Sequence, residues 1–452
     1  MLQLADDTQS LILAACDFET LQVVLCVSRR LHDSALTTIK STAWRRRASN
    51  EEALQTAAWE DGQLTEGCAG AFRSPFMESV DLDGSLAASC SSDGDIRVWD
   101  VESMACTMSA RVTPLTPRTV ALKGKRLAVA TQEGILIYEL AGDGDAARKR
   151  LDCTVRALTW VTTTSLVALS SSHCYVWHVS ECNSSQVSAV DLLSIDAEII
   201  DCQSAERPSW SARESAGLAA CGSMVAVRQG RLVFLLSLPE LVLVRSLVLE
   251  AGPSGWVHPQ GSFYHHIALS ASHLAVGTDS GEVHVWPIAL LVDHLNDQAN
   301  AVNDGDHSSG EHRVDSACGA GCFTLVDPDH QPIFRRRPNR TMSLVMRGPL
   351  LATCSRDQVP RVWDVHSRRL LRIIDLPARS HAHFHRNIVV PHSIEQFGVR
   401  LAIDRFRLVL TASIKEGDWT ERMQLPRNGG SYMARSIIVT QDAGPEWVMC
   451  GE

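Results

Sequence analysis

Ser91-Ser92-Asp93-Gly94-Asp95-Ile96-Arg97-Val98-Trp99-Asp100 reads as a tight turn running into a strand. Asp93-Gly94 supplies the turn, because glycine accepts a positive φ at no steric cost and aspartate can hydrogen-bond its own backbone. Beyond it, Ile96 and Val98 alternate with their neighbours at the two-residue period of a strand, which closes on a Trp-Asp pair. A second copy, Thr353-Cys354-Ser355-Arg356-Asp357-Gln358-Val359-Pro360-Arg361-Val362-Trp363-Asp364, aligns without a gap to Ser89 through Asp100. Two such copies predict a repeat architecture.

The copies are joined by weaker ones. Trp99, Tyr138 and Trp177 are equally spaced (138 − 99 and 177 − 138 both give 39). In a fourth unit, Gly230 to Leu235 places Leu235 where the aromatic residue belongs, and in a fifth, Gly281 to Trp286 restores it. The Trp363 copy is the sixth, and a seventh assembles from Gly398 to Ile403, Leu408 to Ile414 and Ala434 to Val439. The Trp-Asp ending and an interval of one four-stranded blade resemble the WD-repeat (WD40) family, which implies an all-β propeller. The count predicts seven blades, with six or eight as alternatives. Radial closure explains why such a chain builds a propeller rather than an open sheet, since it leaves only short, protected edges. Leu127-Ala128-Val129-Ala130, Leu166-Val167-Ala168-Leu169 and Leu274-Ala275-Val276 are expected to be inner strands buried on both faces. Pro360 falls inside one predicted strand, where it removes a ladder hydrogen bond and is tolerated mainly at an edge or a bulge. The histidine that commonly completes the family's buried polar network is not evident upstream of Trp99 or Trp363.

The first 47 residues have a different texture. Leu11, Ile12 and Leu13 sit in a short amphipathic segment. Asp17 is placed to cap a second helix carrying Leu21, Val24 and Leu25, and Ser28 a third carrying Leu31, Ala35 and Leu36. Three helices of this length cannot close a core alone, so their apolar residues call for a partner or for the rest of the chain.

These residues resemble the F-box family. Leu4-Ala5 stands at the family's opening Leu-Pro, Ile12-Leu13 at its Ile-Leu and Cys16-Asp17-Phe18 at its turn. Leu21, Val27, Arg29-Arg30, Leu31 and Ala43-Trp44-Arg45 follow in order. Ala5 and Phe18 replace the two prolines that would fix the helix entry and the turn. The resemblance implies a small all-α domain that docks on a Skp-type adaptor and, through it, a cullin. By that resemblance, Leu4, Ile12, Leu13, Leu21, Val24, Val27, Leu31 and Trp44 would form the adaptor contact. The alternative is a helical extension that caps the propeller.

The expected organisation is therefore an F-box helical domain over residues 1–47, a loop-rich linker over 48–78 and the propeller over 79–452. Insertions are expected at 181–215 and 289–340, the second holding the polar run Asn303 to Gly310.

Composition bounds the function. With 452 residues, 45% hydrophobic and 21% charged, the chain can bury a large core. A net charge of −10 argues against a nucleic-acid partner, and no apolar run is long enough to span a bilayer, so no membrane role is expected. The 14 cysteines show no CxxC pair or regular spacing, which predicts a cytoplasmic or nuclear setting with buried, reduced thiols. No P-loop, GxSxG elbow or HExxH is present. His381-Ala382-His383-Phe384-His385, with Cys318 and Cys322, fits no structural zinc spacing, so neither a metal nor another cofactor is expected. No catalytic centre is predicted. Arg335, Arg336, Arg337 and Arg340 form the densest basic cluster, suited to a phosphorylated segment of a protein substrate, with a solvated loop as the alternative. Together these features predict a non-catalytic substrate receptor of a Skp/cullin/F-box (SCF) ubiquitin ligase, marking bound proteins for degradation. The alternative is a WD-repeat scaffold with no ubiquitin role.

Overall fold

A computed structural model describes residues 64–72, 77–140, 149–194, 216–248, 266–291, 315–316, 322–326, 341–374, 400–415 and 432–441, apart from some turn residues within those ranges. The F-box pattern of residues 1–47 lies outside the described residues. The described residues form a WD-repeat-like β-propeller with almost no helix among them.

Strand β1 is Leu64–Phe72. The first sheet follows as β2 (Met77–Asp83), β3 (Leu86–Ser91), β4 (Asp95–Asp100) and β5 (Ala105–Arg111). The second is β6 (Pro117–Lys123), β7 (Arg126–Thr131), β8 (Ile135–Glu139) and β9 (Lys149–Leu151). The third is β10 (Ala157–Trp160), β11 (Ser165–Leu169), β12 (His173–Val179) and β13 (Ser184–Asp191). The fourth is β14 (Ala216–Cys221), β15 (Met224–Gln229), β16 (Leu232–Ser237) and β17 (Val242–Val248). The fifth begins with β18 (Ile267–Leu269), β19 (His273–Gly277) and β20 (Val283–Pro287). After β21 (Asp315–Ser316), β22 (Phe323–Leu325) completes it. The sixth is β23 (Thr341–Arg347), β24 (Leu350–Ser355), β25 (Pro360–Asp364) and β26 (Arg369–Ile373). Finally β27 (Arg400–Ile403), β28 (Arg407–Lys415) and β29 (Tyr432–Gln441) pair in succession, and β29 takes β1 on its far side.

Six sheets are thus built in chain order, and a closing sheet draws strands from both ends of the described chain. First strands touch from sheet to neighbouring sheet all the way round, β27 meeting β2. The runs beginning at Leu127, Leu166 and Leu274 form β7, β11 and β19, second from the hub rather than innermost, and are buried as expected. Each seam holds its own apolar cluster. Leu82, Ala87 and Trp99 of the first sheet, for example, meet Ala402 and Val409 of the closing one.

Three segment boundaries differ from the sequence reading. The stretch 48–78 holds β1 and the start of β2, the stretch 181–215 holds the outer strand β13, and 289–340 holds β21 and β22. Glycines and polar residues in these strands hide their periodicity. Pro360 is the first residue of β25, where a missing N–H is tolerated.

The repeat is visible in the register. Trp99 pairs across the sheet with Ala87, Tyr138 with Leu127, Trp177 with Leu166, Trp286 with Leu274 and Trp363 with Leu351. In each unit the residue two beyond the aromatic donates its N–H to the preceding turn: Val101 to Ser85, Leu140 to Lys125, Val179 to Thr164, Ile288 to Ser272 and Val365 to Pro349. In the fourth sheet Leu238 donates to Ser223, so the residue in the aromatic place is Leu236, not Leu235. The shift of one matters because successive side chains point to opposite faces. Leu236 packs in the seam with the third sheet, whereas Leu235 faces the fifth.

Candidate protein-binding surface

The turns between first and second strands and between third and fourth strands gather on one face of the ring. At the hub, β2 offers acceptors at alternate positions to the open edge of β6. Ser79 Oγ accepts from Val120 N at 3.3 Å, Asp81 Oδ2 from Leu122 N at 2.7 Å and Asp83 Oδ2 from Gly124 N at 2.7 Å. Lys123 Nζ adds an ion pair to Asp83 at 3.1 Å. A strand edge that would otherwise be unpaired is satisfied by side chains. Burial pushes the Asp81 carboxyl up to about 6, outweighing the N–H donors of Leu122 and Leu82 that favour its charged form.

The richest side-chain cluster on that face lies where the fifth and sixth sheets meet. Arg368 precedes β26 with φ at 61°, in the left-handed region that a non-glycine residue enters at a cost. Its guanidinium lies 4.4 Å from the centre of the Phe323 ring, across the seam. That stack is worth about 0.5–1 kcal/mol at an exposed site and holds the fork in place. Leu241 takes the same position before β17 with φ at 58°, and there the side chain is buried in the seam with the third sheet. The backbone device is thus shared, but Arg368 keeps its charge at the surface.

Beside it, the ring of His273 stands 5.2 Å from that of His366 and edge-on to Phe323 at 6.1 Å. Ser272 Oγ bridges His273 Nδ1 at 2.9 Å and His366 Nε2 at 3.5 Å. Asp364 is committed locally, Oδ1 accepting from His366 N and Oδ2 from Ser367 Oγ. Burial, reinforced by His366 and Arg368 and opposed by Asp364, pushes His273 down to about 4, so it is neutral near pH 7.

A serine between two imidazoles invites a nucleophile reading. The turn at Ser170 to His173 argues otherwise, because it makes the same contact, Ser172 Oγ to His173 Nδ1 at 2.8 Å. In both turns the histidine N–H donates to the first serine, Ser170 Oγ or Ser270 Oγ. The serine–histidine contact is turn chemistry, repeated where no catalytic partner is arranged. Among the described residues, no three His, Cys, Asp or Glu side chains cluster to hold a metal.

The proposed adaptor residues from Leu4 to Trp44 and the arginines 335, 336, 337 and 340 lie outside the described residues. Arg156 lies between β9 and β10, its N–H bonded to Leu169 O, and Arg361 is buried in β25 with a bond to Val359 O. The seam at Phe323 and Arg368 escaped the sequence reading, because its residues come from separate turns and share no motif.

The fold has solved counterparts. The β-propeller domain of Cps50 (Swd1) from Myceliophteria thermophila is 11% identical, with a TM-score of 0.50 over 82% of this chain and 99% of that chain. U3-55K is 17% identical, with a TM-score of 0.49 over 83% of this chain and 98% of that chain. At 11% identity, the likeness to the Cps50 domain speaks to the fold alone. No protein-family model and no curated protein matches the chain significantly.

Proposed function

We propose that the chain is a non-catalytic protein-binding subunit whose propeller holds a partner, with the surface around Phe323, His366 and Arg368 as its contact. The observation that carries this is the Arg368 guanidinium, held on an aromatic ring at an exposed seam by a backbone conformation an arginine rarely adopts. Aromatic and arginine side chains in fixed positions are the usual anchors of protein interfaces. The propeller alone fits a WD-repeat interaction scaffold.

The more specific reading is a substrate receptor. The F-box-like pattern from Leu4 to Trp44 would dock a Skp-type adaptor, and a cullin ligase would then modify whatever the propeller binds. Arg335, Arg336, Arg337 and Arg340 would add phosphate contacts if the substrate is phosphorylated. The chain's contribution to rate would be effective concentration alone.

The test is binding of the full chain to a purified Skp-type adaptor, with the Leu21→Glu, Val27→Glu double variant alongside and the strand signal checked by circular dichroism. Micromolar binding that the double variant loses while staying folded supports the receptor. No binding leaves the scaffold without a ubiquitin role as the function.

A further inference from the structure

Arginines at the seams of the ring are used in two ways. Arg126 and Arg407 each open the second strand of a sheet and reach into the next sheet along. Arg126 Nη1 donates to Thr163 O at 2.8 Å and to Val179 O at 2.7 Å, and its Nε to Glu139 Oε1 at 2.9 Å. Arg407 gives Nη1 to Gly84 O at 3.1 Å and Nη2 to Glu102 Oε1 at 2.6 Å. Both guanidinium groups are clasps between sheets. In the fifth sheet the same opening position, on β19, is His273, and the guanidinium at its seam comes from the sixth sheet instead.

That guanidinium is Arg368, and it is exposed. Its contact across the seam is the ring of Phe323 rather than a carbonyl. A ring occupies the face of a guanidinium and leaves the N–H edge for an acceptor. Glycine would adopt the φ of 61° here without strain, so the arginine side chain stands at this turn at a cost the turn itself does not require. The carboxylate of the same turn, Asp364, is buried, with Oδ1 on His366 N at 3.0 Å and Oδ2 on Ser367 Oγ at 2.6 Å. In keeping His273 neutral, His366 and Arg368 together outweigh Asp364, so the field at this surface is positive. A positive edge facing solvent selects an anion, and Asp364 behind it limits the charge that anion can carry. A carboxylate, with a single negative charge, matches the fork, whereas a phosphate dianion meets added repulsion.

We infer that the Arg368 fork receives an acidic side chain, Asp or Glu, from a segment of the partner protein, at the seam it shares with Phe323, His366 and Ser272. Two parallel N–H donors on one carboxylate fix its orientation as well as its charge. This deepens the protein-binding reading of the same surface and rests on it.

The probe is a displayed library of random decapeptides selected on the full chain. Peptides enriched on the parent should share an Asp or Glu, and a synthetic copy should lose about tenfold in affinity when that residue becomes Asn or Gln. Arg368→Gly relieves the backbone strain, should melt no lower than the parent and should weaken the acidic peptide as much. Both changes together should cost no more than either alone. Arg368→Lys, which keeps the charge without the fork, should recover only part of the affinity, and phosphoserine in place of the acid should bind more weakly. If Arg368→Gly melts lower, Arg368→Gln takes its place. Enriched peptides without a shared acid, unchanged affinity in the Arg368 variants, additive losses, or tighter binding of the phosphoserine peptide each overturns the inference while leaving the propeller a protein-binding surface. No enrichment at all overturns both.

Discussion

The buried tryptophans show how one atom can distinguish otherwise equivalent blades. Trp99 Nε1 donates to Ser89 Oγ at 3.4 Å, and Trp363 Nε1 to Thr353 Oγ1 at 2.9 Å. Each acceptor stands two residues beyond the tryptophan's cross-strand partner. By the same rule the position for Trp177 is Ala168, which offers no acceptor, and Trp177 Nε1 is buried without a hydrogen bond. Ala168→Ser should therefore stabilise the fold by about 1 kcal/mol, read as a higher urea midpoint at unchanged slope. Asp81 gives the second prediction. Its folded pKa of about 6 lies above the ordinary aspartate value of 3.8. Its stabilising contribution is therefore complete below pH 3.8 and lost as pH rises through 6. Asp81→Asn keeps an acceptor for Leu122 N and cannot ionise. Its melting temperature should exceed the parent's at pH 7.5, and the gap should close toward pH 4. An equal gap at both pH values would refute the linkage.

At the scale of elements, the turn that announced the repeat is also where it is least tolerant. Gly94 has φ of +94°, and a Cβ added there would stand 2.7 Å from Val112 O, on the connection to the second sheet. Gly84, in the turn on the opposite face, has φ of +60° with nothing within 4 Å of an added Cβ. Gly84→Ala should cost about 1–2 kcal/mol of left-handed strain, and Gly94→Ala more, because the connection must also move. Equal losses in chemical unfolding would remove the crowding argument. The Trp-Asp endings and the 39-residue interval made most blades legible, because turn glycines and alternating strands carry their own signals. The Trp177 acceptor shows where counting fails. Both observed acceptors lie ten residues before their tryptophans. Ten before Trp177 is Val167, which faces the other seam, because the turn between β11 and β12 is one residue shorter. The same one-residue difference separates Leu235 from Leu236. Sequence spacing fixes a strand's identity more easily than its face.

For the whole molecule, closure decides where the propeller begins. Read from sequence, the stretch before residue 79 is a linker, since Gly67, Gly70 and the Ser74-Pro75 step suggest loops. In the structure Leu64–Phe72 is the outermost strand of the closing sheet, antiparallel to β29 from Leu64 opposite Gln441 to Phe72 opposite Ala434. That signal is not local. A strand made of Leu-Thr-Glu-Gly-Cys-Ala-Gly-Ala-Phe is recognisable only through a partner nearly the whole chain away. Tying the two ends of a ring together makes its blades cooperate, because opening one seam then requires breaking another. A chain starting at residue 60 should melt in one transition at the temperature of the full chain. One starting at residue 75 lacks β1 and leaves β29 with a bare edge of Val, Ile and Ile residues. Its loss should rival the stability of a typical domain, about 5–15 kcal/mol, seen as aggregation or non-cooperative melting by calorimetry. If both truncations melt alike, the pairing of β1 with β29 contributes nothing to closure, and the ring is held by its hub contacts alone.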